Sequence, residues 1–341
     1  MKSIKYAAGA VCALLGLTAL LSSCNEDFKD EQYQQYVGFR APLETSTGVT
    51  TIYVPYSRKD SLGNFLLGEG QSYYDLPVVV SGSLTNKNNI VVNIAHDPDT
   101  LSTLNLARFQ KRTDYYYTDM YNYATVPATC NIKSGEDVGL LRIQFNFKGI
   151  DMVNKWVLPL VVAPGSGYTP NPRWNFNNAL LRVYPFNNYS GNYSGTMLST
   201  YLSGDTGNGS IVKNTVTGYV VDENTIFFYA GHFNEDRVDR GNYKVYARFN
   251  GTTSGTVDFY SDNPSLKFKN NKQASFYIME QMDAQQPYLK HRYLIINNID
   301  YNWSDYTSVP GYETAYLTQG SLTLERKINT QIPDEDQAVE W

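Results

Sequence analysis

Cysteine and histidine are scarce in this chain of 341 residues, which contains three of each. Cys12 and Cys24 belong to an N-terminal segment that resembles an export signal, so Cys130 is left without an intramolecular partner. This excludes a disulfide framework and a cysteine-based metal site. Asp97 and Asp99 are near enough in sequence to share a calcium ion, but the further oxygen ligands that such a site needs are missing around them. We therefore expect neither a metal nor a cofactor.

Catalytic motifs are also missing. The chain contains no G-x-S-x-G, no G-x-x-x-x-G-K-[ST] and no H-E-x-x-H. A pair of carboxylates across a cleft can hydrolyse a glycoside without a short motif, and the candidates for such a pair are Glu235, Asp236 and Asp239. Arg237 and Arg240 alternate with these acids, which favours a charge-balanced surface loop instead. We predict that the chain is not an enzyme.

Positive charge is not in excess. The formal net charge is −5 and the sequence pI is about 5.3, which argues against a nucleic-acid partner. No basic cluster follows the N-terminal segment to attract anionic lipid, so membrane attachment would have to depend on a covalent lipid.

The N-terminal segment has the pattern of a secretory signal. Lys2 and Lys5 precede an apolar run from residue 7 to residue 21, which is shorter than the roughly 20 residues that a membrane-spanning helix needs. The run ends in Leu-Ser-Ser-Cys at residues 21–24, which resembles the bacterial lipobox. The resemblance implies that residues 1–23 are removed and that Cys24 is lipidated. The alternative is an ordinary signal peptide followed by an incidental cysteine.

Residues 24–35 are polar and acidic, and we interpret them as a tether. They resemble the signals that send lipoproteins of Bacteroidota to the outer face of the outer membrane. The resemblance implies surface display, whereas the alternative is a solvated tether that carries no export signal.

Beyond the tether, short alternating runs recur between turn signals, which predicts an all-β fold. Residues 139–147 alternate apolar and polar side chains, while residues 156–162 do not alternate and contain Pro159, which favours an edge strand or a bulge. One helix is predicted over residues 100–111. We predict four parts: an immunoglobulin-like β-sandwich over 36–164, a linker over 165–187, an antiparallel meander over 188–329 that either closes as a small barrel or stays a sandwich, and a loosely ordered tail over 330–341.

Tyrosine is the abundant residue type, with 29 copies. Flat rings in polar loops can stack on sugar faces, and rings of this kind are concentrated in residues 114–123 and 300–312. Consecutive rings cannot all face one core, so some of them are expected near the surface. The alternative is that they cover the seam between the two parts, as we expect for Trp174. The candidate glycan-binding residues are Trp303, Tyr301, Tyr306, Tyr312, Tyr115, Tyr117 and Tyr121.

The order of motifs resembles a known family. The lipobox is followed by Tyr-Asp-Leu-Pro-Val at 74–78, Trp-Val-Leu-Pro-Leu at 156–160 and Gly-Ser-Leu-Thr-Leu-Glu-Arg at 320–326. This order is similar to that of two-domain surface lipoproteins from Bacteroidota, whose N-terminal domain of unassigned function also occurs ahead of glycoside-hydrolase family 18 modules. The acidic strand motif of those hydrolases, D-x-x-D-x-D-x-E, is missing from this sequence.

The resemblance implies an accessory of a glycan-uptake system of the starch-utilisation (Sus) type, and it transfers no binding residue. We predict an outer-membrane surface lipoprotein that binds glycan, with an outer-membrane transporter complex as a candidate partner. One rival is a structural lipoprotein that holds a transporter or hydrolase through protein contacts. The other rival is a glycosidase that uses a carboxylate pair.

Overall fold

The structure, a computed structural model, describes residues 31–341 except 42, 45, 61, 207, 208 and 335. The signal sequence, Cys24 and most of the predicted tether lie outside the described residues. Within the part of the chain that is described, no helix is long and apolar enough to cross a membrane. The remaining chain is dominated by strands, which confirms the prediction of an all-β fold.

The first ten strands form the sandwich, and two helices lie among them. The strands are β1 (Tyr36–Phe39), β2 (Thr50–Pro55), β3 (Gln71–Ser81), β4 (Ile90–His96), β5 (Tyr117–Asp119), β6 (Ala124–Thr125), β7 (Thr129–Ile132), β8 (Val138–Asn146), β9 (Lys155–Val162) and β10 (Asn178–Phe186). The helices are α1 (Pro98–Phe109) and α2 (Trp174–Asn177).

Two sheets enclose the core of the sandwich. The first has the order β1-β3-β8-β6, and the second has the order β2-β10-β9-β4-β7 with β5 beside β9. In β8 every second residue is buried, as the alternation predicts. Leu76 and Ile143 of the first sheet share one buried cluster with Leu158 and Leu181 of the second, so one apolar core joins the two sheets.

Strand β10 lies within the segment that the sequence predicts as a linker. It runs parallel to β2, with Leu181 opposite Thr50, and antiparallel to β9, with Leu181 opposite Leu158. Its apolar side chains at positions 179–181 and 183 are buried, so leaving them in a linker would forfeit their hydrophobic stabilisation. The linker prediction over 165–187 is therefore wrong for these residues.

Pro159 does not mark an edge, because β9 lies between β10 and β4. On one flank, β9 pairs with β5 through residues 155–157 and with β4 through residues 160–162, so Pro159 falls in the interval between these two short partners. Its carbonyl accepts a hydrogen bond from the Asp97 N–H on that flank, at 3.1 Å. The missing N–H of the proline therefore interrupts no ladder bond.

Helix α1 begins two residues before the predicted start. The Asp97 carboxylate accepts a hydrogen bond from the Thr100 N–H at 3.2 Å, and Pro98 occupies the first turn, where its lack of an N–H is harmless. The same carboxylate accepts from the Asn178 side chain at 2.6 Å, so Asp97 caps the helix and ties it to β10. No group of three or more metal-ligating side chains occurs among the described residues.

The remaining strands build a barrel with short extensions. They are β11 (Gly191–Ser194), β12 (Leu198–Leu202), β13 (Ile211–Val212), β14 (Thr215–Val220), β15 (Thr225–Tyr229), β16 (Lys244–Gly251), β17 (Ser254–Tyr260), β18 (Lys269–Asn270), β19 (Ala274–Met282), β20 (Leu289–Val309), β21 (Tyr312–Asn329) and β22 (Val339–Glu340).

The barrel closes through its two longest strands. The antiparallel path β21-β11-β14-β15-β16-β17-β19-β20 returns to β21, because β20 and β21 pair with each other over most of their length. Of the two alternatives that the sequence leaves open, the closed barrel is the one observed. At Gly320, which has φ 138°, an added Cβ would lie 1.9 Å from the Met197 carbonyl oxygen, so this bend requires glycine.

Two candidate ligand rings, Trp303 and Tyr301, are buried inside this second half, at 1% and 4% exposure. They are two residues apart in β20 and therefore share one face of the strand. The Trp303 ring stacks on Tyr316 with centroids 4.7 Å apart, and its Nε1–H donates to the Thr318 hydroxyl at 3.0 Å. The Tyr301 hydroxyl accepts from the Gly231 N–H. The prediction that these two rings contact a ligand is therefore wrong.

We predict that Trp303→Ala destabilises the protein by about 3–5 kcal/mol, because it empties a large, tightly packed volume and removes the indole N–H that donates to the Thr318 hydroxyl. The measurement is the free energy of unfolding in a denaturant titration. Tyr312→Ala is the control, since Tyr312 is 64% exposed at the β20–β21 turn, and its effect should stay within about 0.5 kcal/mol. Equal effects of the two substitutions would contradict the assignment of Trp303 to the core.

Candidate functional site

A cleft of about 360 Å³ lies between the sandwich and the barrel. Strands β2 and β10 supply the sandwich wall, while β11, β14 and the segment after β15 supply the barrel wall. On the sandwich side, Ile52 and Val183 face the core, so alternation turns Tyr53, Arg182 and Tyr184 outward. The side chains that define the chemistry of the cleft are Tyr53, Arg182, Tyr184, Phe186, Asn192, Lys213, Tyr219, Tyr229, Asn234, Glu235 and Trp341.

A column of stacked rings forms part of the sandwich wall. The parallel register of β2 and β10 sets Tyr53 opposite Tyr184, with ring centroids 5.8 Å apart. Trp341 stacks on Tyr53 at 4.1 Å with an interplanar angle of 6°, and Phe186 meets the Trp341 ring edge-on at 4.7 Å. Trp341 is 50% exposed and Tyr53 is 36% exposed. The column therefore presents aromatic surface to solvent inside the cleft.

The segment that follows β21 positions Trp341. Strand β22 pairs with β21, with Val339 opposite Ile328, and Ala338 is buried. Arg58 of the sandwich is also buried and donates to the Asp334 carboxylate at 2.7 Å. The prediction of a loosely ordered tail over 330–341 is wrong for the described residues of this segment, because strand pairing and the ion pair between Arg58 and Asp334 hold them.

The polar side of the cleft is organised around Glu235. The Arg182 guanidinium and the Tyr219 hydroxyl both approach Glu235 Oε2, at 3.3 Å each. Burial, followed by the negative charge of Glu235, raises the pKa of Tyr219 far above its usual range, so this hydroxyl stays a donor. Lys213 donates to the Phe233 carbonyl at 3.0 Å. Glu235 and Lys213 can accept from and donate to a ligand in the cleft.

The other two predicted carboxylates, Asp236 and Asp239, do not line the cleft. Arg237 binds Asp239 with two hydrogen bonds of 2.9 Å, and the Thr307 hydroxyl donates to the same carboxylate. The backbone carbonyl of Asp236, rather than its side chain, accepts from Tyr115. Among the described residues that line the cleft, Glu235 is the one carboxylate. The geometry therefore brings no second acid to the cleft wall opposite Glu235.

The remaining candidate rings are dispersed, and none of them lines the cleft. Tyr117 is 5% exposed and packs edge-on against Phe109, so the prediction that it contacts a ligand is wrong. Tyr115 is half-buried at the seam, where its hydroxyl bonds to the barrel at 2.9 Å. Tyr121 stacks on His96 with centroids 3.9 Å apart.

Tyr306 and Tyr312 lie at the far end of the β20–β21 pair. The half-buried Tyr306 accepts a hydrogen bond from the Asn263 side chain at 2.9 Å, and Tyr312 is exposed beside the turn. A ligand role for Tyr115, Tyr121, Tyr306 and Tyr312 stays a prediction.

The sequence interpretation missed the cleft rings Tyr53, Tyr184 and Trp341. The first two occupy outward positions of alternating strands, and that alternation is a signal that could have found them. Trp341 carried no such signal, because its position depends on the pairing of β22 with β21.

These features define an all-β protein with a closed barrel, a sandwich and a ring-lined cleft between them. The family model described as a domain of unknown function (DUF4973) matches residues 28–166, and a second model, described only as a C-terminal domain, matches residues 177–323. A comparison with curated proteins finds no match.

Three solved structures from Bacteroides resemble the whole described chain. An auxiliary nutrient binding protein from Bacteroides thetaiotaomicron is 47% identical, with 87% of this chain and 96% of that one covered and a TM-score of 0.82. A multidomain protein including DUF1735 from Bacteroides ovatus is 40% identical, with coverages of 90% and 100% and a TM-score of 0.77. A protein of unknown function from Bacteroides ovatus is 33% identical, with coverages of 88% and 95% and a TM-score of 0.75.

The chain belongs to the family of these Bacteroides proteins and carries its DUF4973 domain at the N-terminal end. The predicted resemblance to proteins of Bacteroidota with an N-terminal domain of unassigned function is confirmed at this level. The descriptions of the three relatives name no enzymatic activity.

We predict that Arg58→Met loosens the segment that carries Trp341, because the substitution removes the cation that binds Asp334. Hydrogen bonds to charged groups contribute about 1.5–3 kcal/mol, so amides 336–341 should exchange with deuterium at least about tenfold faster. The measurement is hydrogen–deuterium exchange by mass spectrometry, with the amides of β15 and β16 as an internal reference.

Lys59→Met is the matched control, because Lys59 pairs with Glu223 instead of with the C-terminal segment. Unchanged exchange at 336–341 in Arg58→Met would show that strand pairing alone holds the segment.

Proposed function

We propose that this protein is a surface-displayed lipoprotein that binds glycan in the cleft, as an accessory to a polysaccharide or glycoprotein-glycan uptake system of the Sus type. The observation that carries the proposal is the exposed Trp341 ring, stacked on Tyr53 in a cleft that also holds Glu235, Arg182 and Lys213. Sugars present C–H faces that pack on flat rings, and their hydroxyls bond to carboxylates, amides and cationic groups. The cleft supplies both kinds of contact.

The size of the cleft suits part of an oligosaccharide. Small-molecule sites typically measure roughly 300–1,000 Å³, and the cleft falls in the lower part of that range. It is open to solvent beside Trp341, so a longer chain could extend from it. This geometry supports recognition of a short stretch within a larger glycan.

The relatives support a nutrient-binding role in general terms. The Bacteroides thetaiotaomicron relative is described as an auxiliary nutrient binding protein, and we extend that role to this chain because the two share 47% identity over most of their length. The choice of glycan as the nutrient is our own step and depends on the ring chemistry of the cleft. The link to family 18 glycoside hydrolases stays a prediction from the sequence.

The N-terminal sequence supports the proposed location. The signal pattern ends in a lipobox-like cysteine, and an acidic tether follows it. Each buried methylene of an acyl chain contributes about 0.8 kcal/mol to membrane binding, so two or more chains on Cys24 would anchor the protein without a spanning helix. An outer-membrane transporter complex remains the candidate protein partner.

We predict that Trp341→Ala and Tyr53→Ala each weaken glycan binding. Aromatic stacking contributes about 0.5–1.5 kcal/mol beyond area burial, which corresponds to roughly a 2- to 13-fold rise in Kd. The experiment is a glycan-array screen of the purified protein, followed by calorimetric titration of the best ligand with both variants. Trp174→Ala is the matched control, since Trp174 is 48% exposed in α2 and lies outside the cleft.

Unchanged Kd values in Trp341→Ala and Tyr53→Ala would place the binding site elsewhere on the protein. If the array yields no ligand, glycan binding fails and the scaffold rival takes its place. Cleavage of an array glycan that is lost in Glu235→Gln would support the glycosidase rival.

We predict that Cys24→Ala moves the protein from the membrane fraction to the soluble fraction, because the substitution removes the acylated sulfur. The measurement combines cell fractionation with metabolic labelling by a palmitate analogue. Cys130→Ala is the control: Cys130 is buried, and burial raises its pKa to about 11, so it should contribute neither label nor anchoring. A Cys24→Ala protein that stays labelled and in the membrane would contradict the lipobox assignment.

A further inference from the structure

The corner of the cleft around Glu235 carries more positive charge than negative charge. Arg182 pairs with Glu235 at 3.3 Å, and Lys155 lines a small cavity immediately behind that pair. Lys213 lies on the barrel wall of the same cleft. The charges of Glu235 and Asp236 both act on Lys213 and Lys155, so three cations face two carboxylates here, in a chain whose formal net charge is −5. An anion is repelled by the chain as a whole but attracted to this corner.

Among the described residues that line the cleft, the cations are Arg182, which pairs with Glu235, and Lys213, which is placed to meet a ligand. Its ammonium group donates one hydrogen bond, to the Phe233 carbonyl, and it forms no ion pair with any described residue. Two of its three donors are therefore available. Partial burial lowers the pKa of Lys213, and the charges of Asp236 and Glu235 oppose that shift from beyond ion-pair distance. An anion placed beside the ammonium would replace the water contacts that burial has removed.

Glu235 forms no ion pair with Lys213, and its Oε2 already accepts from Arg182 and Tyr219. The other polar side chains of the cleft, such as Asn192 and Asn234, are neutral. A neutral sugar would satisfy the ring column and the amides, but it would leave Lys213 without an ion-pair partner at contact distance. A sugar with an anionic substituent would satisfy both.

We propose that the cleft selects glycans that carry an anionic group, a carboxylate or a sulfate ester, with the sugar ring stacked on the column of Trp341 and Tyr53 and the anionic group bound by Lys213. This inference rests on the proposed function, since it names the class of glycan that the same cleft binds. Lys213 is then the residue that determines specificity, and the ring column supplies affinity that does not depend on charge.

The test uses matched pairs of oligosaccharides. Uronate-containing oligomers are compared with the same oligomers after reduction of each carboxylate to a primary alcohol, and sulfated oligomers are compared with their desulfated forms. The Kd of each is measured by calorimetry. A charge-assisted hydrogen bond typically changes affinity about tenfold or more, so the anionic member of at least one pair should bind at least about tenfold more tightly. The pair that shows the preference identifies the substituent.

Variants of Lys213 connect any preference to the residue. Lys213→Met and Lys213→Gln should abolish the preference, so that each variant binds the anionic and the neutral oligomer with equal Kd, and Lys213→Arg should retain it. Lys267→Met is the control, because Lys267 is exposed and pairs with Glu313 outside the cleft. Equal binding of anionic and neutral members, or a preference that survives Lys213→Met, would overturn the inference and leave the proposed function intact. Failure of every oligomer to bind would overturn the proposed function itself.

Discussion

Arg326 is buried where the sandwich meets the barrel, and the arrangement of the two halves depends on its contacts. Its guanidinium donates to the carbonyls of Asn187 and Ser190, at 2.5 and 2.6 Å, which fixes the four residues between β10 and β11. Phe186 and Trp341 lie against the same guanidinium, with centroids 5.6 and 5.5 Å from its central carbon. Burial lowers the pKa of Arg326 to about 10, so it remains a cation at neutral pH. Burying a cation costs free energy unless oxygens and ring faces surround it. The contacts of Arg326 with two carbonyls and two rings therefore favour one arrangement of the sandwich and the barrel.

Regular strand patterning could be predicted from the sequence, and the all-β fold follows from it. The alternation of β8 corresponds directly to its buried and exposed positions. The main errors of the sequence predictions lie in segments whose local composition suggests a loop but whose pairing with distant strands makes them strands. Residues 300–306 contain polar side chains that suggest a loop, yet Asp300 bonds to Lys272 and Gln319, and Asp305 accepts from the Tyr243 hydroxyl at 2.7 Å. Once such partners satisfy the polar groups, the segment can be a strand and Trp303 can face the core.

The candidate site was less accessible to prediction from the sequence than the fold. Its rings Tyr53, Tyr184 and Trp341 are each more than 100 residues from the next along the chain, and no local pattern brings Tyr53 and Trp341 together. The abundance of tyrosine favours residues 114–123, but Tyr117 is buried in the core there, and Tyr115 lies half-buried at the seam. Glu235 was identified as a chemical candidate, but its partner Arg182 lies on the sandwich, so only tertiary structure shows that the pair belongs to one cleft.

The geometry of the junction also explains why we propose the cleft, rather than the more exposed rings, as the binding site. Asn187 bonds through its side-chain oxygen to the N–H groups of Tyr189 and Ser190, at 2.9 and 2.8 Å, so the connection between the two walls is itself rigid. The spacing of the walls is thus set before a ligand arrives, and binding loses little freedom in ordering them. The side chain of Tyr312 is more exposed than that of Trp341 or Tyr53, but it lies beside a turn. Among its described contacts, no second wall is present to hold a sugar from the other side. An exposed ring alone offers a ligand one contact, whereas two walls at a fixed distance can hold the ligand from both sides.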